Sequence, residues 1–200
     1  FHHYFETNKA THSAAIDIKL LKKGIVSRYD EFFKTYAKNI NWDWKLLAAQ
    51  GYAESKFDPQ ATSWVGARGV MQLMPATARR YGLCEENITD PQRNIETAVK
   101  VIADLDKSLN KYVSDPEERK KFIIAAYNSG IAHIYDAIAL ATKYGKNPQL
   151  WENNVSDALL MKGYPEYYND EVCKYGYFRG KQTVSYVQEV FKMYHLYKKY

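Results

Sequence analysis

Apolar residues recur every three or four positions along most of this chain, a spacing that predicts helices. Ile95, Val99, Ile102, Leu105 and Leu109 hold the interval over about four turns. Asp90-Pro91 precedes them as an N-cap with Pro at the first helical position. Asp115-Pro116-Glu117-Glu118 repeats that start signal, with a glutamate three residues after the cap. Its helix continues through Phe122 to Tyr127 and stops at Asn128-Ser129-Gly130. Ile131, Ile134, Ile138 and Ala141 form another stripe. Nearer the start, Phe32, Phe33 and Tyr36 mark a helix over 29–37. Asn39-Ile40-Asn41 breaks it, and the next helix runs from Trp42 to Ser55.

Ser55 to Arg68 reads as a loop punctuated by Asp58-Pro59, Ser63 and Gly66. Val70 to Met74 is an apolar run, and Pro75 opens a helix that ends at Gly82. Asn147-Pro148 opens a short helix carrying Trp151 and Val155. Residues 162–180 are irregular and rich in Tyr. The last helix covers about 182–197, with Val184, Val187 and Phe191 turned inward. No pair of strands with a hairpin turn is present. The predicted fold is all-α, about seven to nine short helices without an internal repeat. Residues 1–28, mixed in pattern and interrupted by Gly24, are expected to form an arm or linker. Residues 29–200 are expected to form one domain.

Two hundred residues suffice for a sizeable core without staples. The formal charge is +5, from 28 Lys+Arg against 23 Asp+Glu. It is spread along the chain, whereas a nucleic-acid footprint is dense on one face, so no nucleic acid is expected. Cys84 and Cys173 are too few for a disulfide framework, and one bridge or two free thiols both fit. The five His residues show no paired ligand spacing, so neither a metal nor a cofactor is expected. Tyrosine is the outlier, with 18 Tyr against 4 Trp and 8 Phe. A flat apolar ring with a polar tip suits a wet groove as well as the shell of a helical domain. No run of about eighteen apolar residues is present to span a membrane. The chain opens on Phe1-His2-His3-Tyr4 and reads as a piece of a longer product, so the lack of a visible leader says little about compartment.

One carboxylate stands out. Leu47, Gly51 and Glu54 fall four and three residues apart, on one helix face. The face is otherwise apolar or small, so Glu54 prolongs a core-facing stripe. A carboxyl group against an apolar wall resists ionisation, and a proton held near neutral pH is what a general acid needs. The same stretch also allows a helix-end glutamate that reaches water past the last turn. Asp58, the nearest acid downstream, precedes Pro59 and reads as a turn former.

The surroundings of Glu54 shift the weight between those readings. Ala53-Glu54-Ser55 is followed by Phe57-Asp58-Pro59, Ala61-Thr62-Ser63 and Gly66-Ala67-Arg68-Gly69-Val70-Met71-Gln72-Leu73-Met74-Pro75. Ala126-Tyr127-Asn128-Ser129-Gly130, Tyr175-Gly176-Tyr177-Phe178-Arg179-Gly180 and Tyr186-Val187 come later. In this order the chain resembles, over about residues 29–200, the lytic transglycosylases of the soluble-murein-transglycosylase type, relatives of goose-type lysozyme. The likeness is greater to the C-terminal half of the membrane-bound lytic murein transglycosylase F family.

The resemblance implies a lysozyme-like helical domain with a substrate groove. It implies cleavage of the β-1,4 bond between N-acetylmuramic acid and N-acetylglucosamine in peptidoglycan, leaving a 1,6-anhydromuramoyl end. Glu54 matches the single catalytic acid. Ser63 and Gln72 match polar positions of the sugar groove, and Met74 an apolar one beside them. Tyr127 and Asn128 match the positions that support acid and substrate, and Tyr186 a tyrosine facing the cleft. The implied partner is a peptidoglycan glycan strand. The implied setting is the periplasm, at or anchored to the outer membrane, with a regulatory N-terminal domain in the full-length product. Two departures are visible. Gln182-Thr183 stands where many relatives have Glu-Thr, and Trp64 stands where a small residue or Pro is common, adding an aromatic face at the rim. The competing readings are a lysozyme-type hydrolase, which needs a second carboxylate or a held water, and a wall-binding module without turnover.

Overall fold

The computed structural model describes residues 16–200, and within them several helices begin at a capping Asp or at a Pro in the first position. Asp17 accepts from Lys19 N and opens α1 (Ile18–Leu21), a single turn. α2 is Asp30–Ala37, and α3, Trp44–Ser55, is capped by Asp43. Pro at the first position starts α4 (Pro75–Arg80), α5 (Pro91–Leu109) and α6 (Pro116–Ser129). α7 is Ile131–Lys143, α8 Ser156–Met161, α9 Pro165–Tyr168 and α10 Lys181–Lys198. Among the described residues no strand forms, and only isolated bridges pair Thr62 with Arg68 and Arg68 with Leu73.

The chain divides into two compact units, one of residues up to Lys100 with Glu189–Tyr200, the other Val101–Gln188. In the first, α2 packs on α3. Phe33, Leu46, Leu47, Val70, Met71, Ile88 and Ile95 are buried there. Each such side chain contributes roughly 1.5–3 kcal/mol by leaving water. In the second, α7 packs on both α6 and α8 around Phe122, Ile134, Leu140, Trp151 and Leu159. Arg119 anchors the turn before α6 by donating to Asp106 Oδ1 (2.6 Å) and to the Val113 carbonyl (2.7 Å).

Several expectations need correction. The described residues form ten α-helices where seven to nine were expected, because the 162–180 stretch, expected to be irregular, holds the single turn α9 started by Pro165, and residues 18–21 add another. Asn147-Pro148 does not open a helix. Asn147 Oδ1 accepts from Gln149 N, an Asx turn that competes with helix formation, and Asn153 is left-handed at φ 58°. The helix therefore starts at Ser156. Glu118 is directed across the unit, where it accepts from Trp151 N (2.8 Å) and pairs with Lys121. On α10 the buried stripe is Thr183, Tyr186, Val187, Val190, Met193 and Tyr197, while Val184 and Phe191 are half-buried. Packing partners select the stripe, and two overlapping apolar stripes on one helix do not reveal which is chosen. The two cysteines are free thiols.

Candidate active site

Glu54 lies in the last turn of α3 and is 8% exposed. Nearly every residue of this helix from Leu46 onward is buried, so its end is packed on several sides. Gly51 allows a close approach. A Cβ there would lie 3.0 Å from Phe33 Cζ and 3.2 Å from Met71 Sδ. Directly after Ser55 the backbone turns left-handed twice, at Lys56 (φ 56°) and Phe57 (φ 65°). Side chains disfavour that region. Packing holds it, with the Phe57 ring against Phe33 and Tyr52, and Lys56 paired to Glu189 at 2.9 Å.

The loop that follows is tied back to this helix end. Ser55 Oγ donates to the Val70 carbonyl (2.7 Å). Asn94, fully buried on α5, accepts from Met71 N (2.7 Å) and donates to the carbonyls of Ile88 (2.7 Å) and Arg68 (3.1 Å). Gly69 is left-handed at φ 84°, and a Cβ on it would collide with the Asn94 amide. Gln72 also has positive φ, at 50°. A non-Gly residue there stores strain that the surroundings must offset. Its Nε2 donates to the carbonyls of Ala61 and Gly69, both at 3.0 Å. Ser63 closes the neighbouring turn by accepting from Ala67 N (3.0 Å). Met74 is 41% exposed and leads into α4. Within the first unit, Glu54, Ser63 and Gln72 thus belong to one hydrogen-bonded assembly of helix end and loop. Asp58 Oδ1 accepts from Gln60 N, the turn role expected of it.

The other three candidates lie in the second unit. Tyr127 and Asn128 occupy the last turn of α6 and are half-buried. The C-cap is Gly130 (φ 84°), so Asn128 is not the cap, and its Oδ1 accepts from Thr183 Oγ (2.7 Å). Tyr186, one turn further along α10, is buried. The Thr of the unusual Gln182-Thr183 pair therefore holds Asn128.

Sequence reading missed two arrangements. Asn94 is a positioning residue whose only signal is a polar side chain next to Ile95 on the core-facing stripe. The second is a buried ion pair in which Lys162 Nζ donates to Asp136 Oδ2 (2.5 Å) and lies 2.9 Å from His133 Nδ1. Asp136 also accepts from Lys174 N and Tyr175 N, which fixes the aromatic segment. Burial, and then the Lys162 charge, push the His133 pKa below its ordinary value, with Asp136 opposing. Nearby, hydrogen bonds from Lys143, Val172 N and Tyr144 hold the Asp170 carboxyl down at about 2. Among the described residues no group of three or more His, Cys, Asp or Glu is placed to hold a metal ion.

The Transglycosylase SLT domain family matches residues 31–150. A membrane-bound lytic murein transglycosylase F from Maricaulis maris is 37% identical over 163 residues, 82% of this chain and 34% of that protein. The namesake from Salmonella arizonae is 39% identical over 168 residues, 84% of this chain and 31% of its own length. The chain thus spans about a third of these relatives. The 70 kDa soluble lytic transglycosylase of Escherichia coli has a similar fold, with a TM-score of 0.55 at 20% identity over 86% of this chain and 24% of that one. An inactive variant of lytic transglycosylase Slt from Pseudomonas aeruginosa gives 0.56 at the same identity and coverage. The all-α, lysozyme-like architecture is shared with these structures.

Proposed function

Because this chain belongs to the transglycosylase SLT domain family, we propose that it cleaves peptidoglycan glycan strands as a lytic transglycosylase, with Glu54 as acid and then base. Protonated Glu54 gives its proton to the oxygen leaving from the muramoyl anomeric carbon, and the C1–O bond breaks. The carboxylate then takes the proton of the same sugar's C6 hydroxyl as that oxygen bonds to C1. The product is a 1,6-anhydro ring, and no water is consumed. A hydrolase needs a second carboxylate for a water or a covalent intermediate. Here the nucleophile is intramolecular and already oriented, so its effective concentration is high.

The observation that carries this reading is the burial of Glu54 at a helix end tied to the Gln72 loop. A carboxyl group withdrawn from water and held by a rigid frame suits repeated proton transfer. Ser63, Gln72 and Met74 are assigned to the glycan beside it, and Tyr127, Asn128 and Tyr186 to substrate contacts carried over from the family motifs. The setting assigned is the periplasm, at or anchored to the outer membrane, with a regulatory domain in the full-length product.

Mass spectrometry of purified peptidoglycan after incubation with the chain tests the reading. Products ending in 1,6-anhydromuramic acid, one water lighter than reducing ends, are expected. Reducing ends would replace the mechanism with hydrolysis. No release from a folded sample would point to a wall-binding module.

A further inference from the structure

Trp64 is 80% exposed, whereas Trp151 is fully buried and Trp42 is 8% exposed. An indole so exposed is unusual, because burial of its large apolar face is favourable. The backbone that presents it is not loose. Ser63 N donates to the Ala67 carbonyl (2.9 Å), Gly66 N to the Ser63 carbonyl (2.9 Å), and Ala67 N to Ser63 Oγ (3.0 Å). Gly66 takes the positive φ of 95° that closes the turn. Trp64 and Val65, both exposed, form its tip.

This turn is continuous with the Gln72 loop. Arg68 and Leu73 exchange both backbone bonds at 2.9 Å, Gly69 N donates to the Ala61 carbonyl (3.0 Å), and the Gln72 amide donates to that same carbonyl. Met74, at the far end, adds a third exposed apolar side chain. A rigid frame therefore carries one flat aromatic face, with Val65 next to it in the turn and Met74 at the other end, among groups assigned to a sugar strand.

The geometry points to Trp64 as a stacking platform for a pyranose ring of the glycan, outside the two sugars joined at the scissile bond. The C–H face of a β-1,4-linked N-acetyl sugar is apolar and flat, and it matches an indole in size and in weak C–H contacts. The inference rests on the proposed glycan substrate. It adds a binding residue that governs how tightly an extended strand is held.

A soluble oligomer of β-1,4-linked N-acetylglucosamine is the probe. Of the four Trp residues, Trp64 is the one most open to acrylamide, since Trp44 is half-buried and the other two are buried. The oligomer should shield this indole from quenching. Trp64→Ala should lose the shielding and weaken oligomer binding about tenfold, while Trp64→Phe keeps most of the affinity. Oligomer bound by calorimetry with Trp64 still fully quenchable, equal affinity of the Ala variant, or no binding to the wild type would each overturn the assignment. Shielding without anhydromuramic release from peptidoglycan would sustain the platform and sink the lytic reaction, so the two can fail separately.

Discussion

The hydroxyl of Ser55 donates to the carbonyl of Val70 at 2.7 Å, so the residue after Glu54 is bonded to the loop that carries Gln72. Both residues are buried, and Val70 has no access to water as a substitute donor. Ser55→Ala should destabilise the protein by about 1–3 kcal/mol, because a buried acceptor loses its donor. Turnover should fall by about tenfold at temperatures where the variant is fully folded, since a small misplacement in a site is expensive in rate. Thermal unfolding followed by assay below both midpoints checks this. An unchanged rate would confine Ser55 to stability.

Glu54→Gln keeps the shape of the side chain and removes its titratable proton. Release of anhydromuramoyl products should drop on the order of 10³-fold. The melting temperature should move little. An active Gln variant would overturn the role of Glu54 as proton donor.

Gln50 lies one turn before Glu54, is fully buried, and neither atom of its amide has a hydrogen-bond partner among the described residues. A buried amide without partners carries a desolvation penalty. Gln50→Met, of similar length and without polar hydrogens, should raise stability by about 1–2 kcal/mol. A urea or thermal midpoint reads the change. A lower midpoint would mean that the amide is compensated in the folded state.

The Lys162–Asp136–His133 network predicts a pH effect in the second unit. The folded His133 has a pKa below its ordinary 6.5, first through burial and then through the Lys162 charge. Below that ordinary value the unfolded chain therefore binds more protons than the folded one. The contribution is fully present above 6.5 and is lost as pH falls towards the depressed folded value. Urea midpoints measured from about pH 7 to pH 5 should decline, and His133→Asn should flatten that decline. An identical slope in the variant would remove His133 as its origin.

Most helices were legible because their signals are local. The cap at Asp115, the Pro at 75, 91 and 116, and the stripe from Ile95 to Leu109 act within a turn or two of the backbone they organise. Glu54 and Gln72 were legible as members of an ordered motif. The helix start expected at Asn147-Pro148 was not, because an Asx turn and a left-handed Asn153 outweigh a generic Asn-Pro start signal.

By itself the sequence determined the helical class, most element boundaries, the family and the identity of the candidate acid. These rest on short-range hydrogen bonding and on residue order. Tertiary structure alone decided that Thr183 and Tyr186 face inward where Val184 and Phe191 were expected. It alone decided that Asn94 holds the Gln72 loop and that Lys162 is buried against Asp136. Each of these depends on a partner that is distant in sequence. Burial is a property of the packed surface, and spacing along a chain states only which residues share a face.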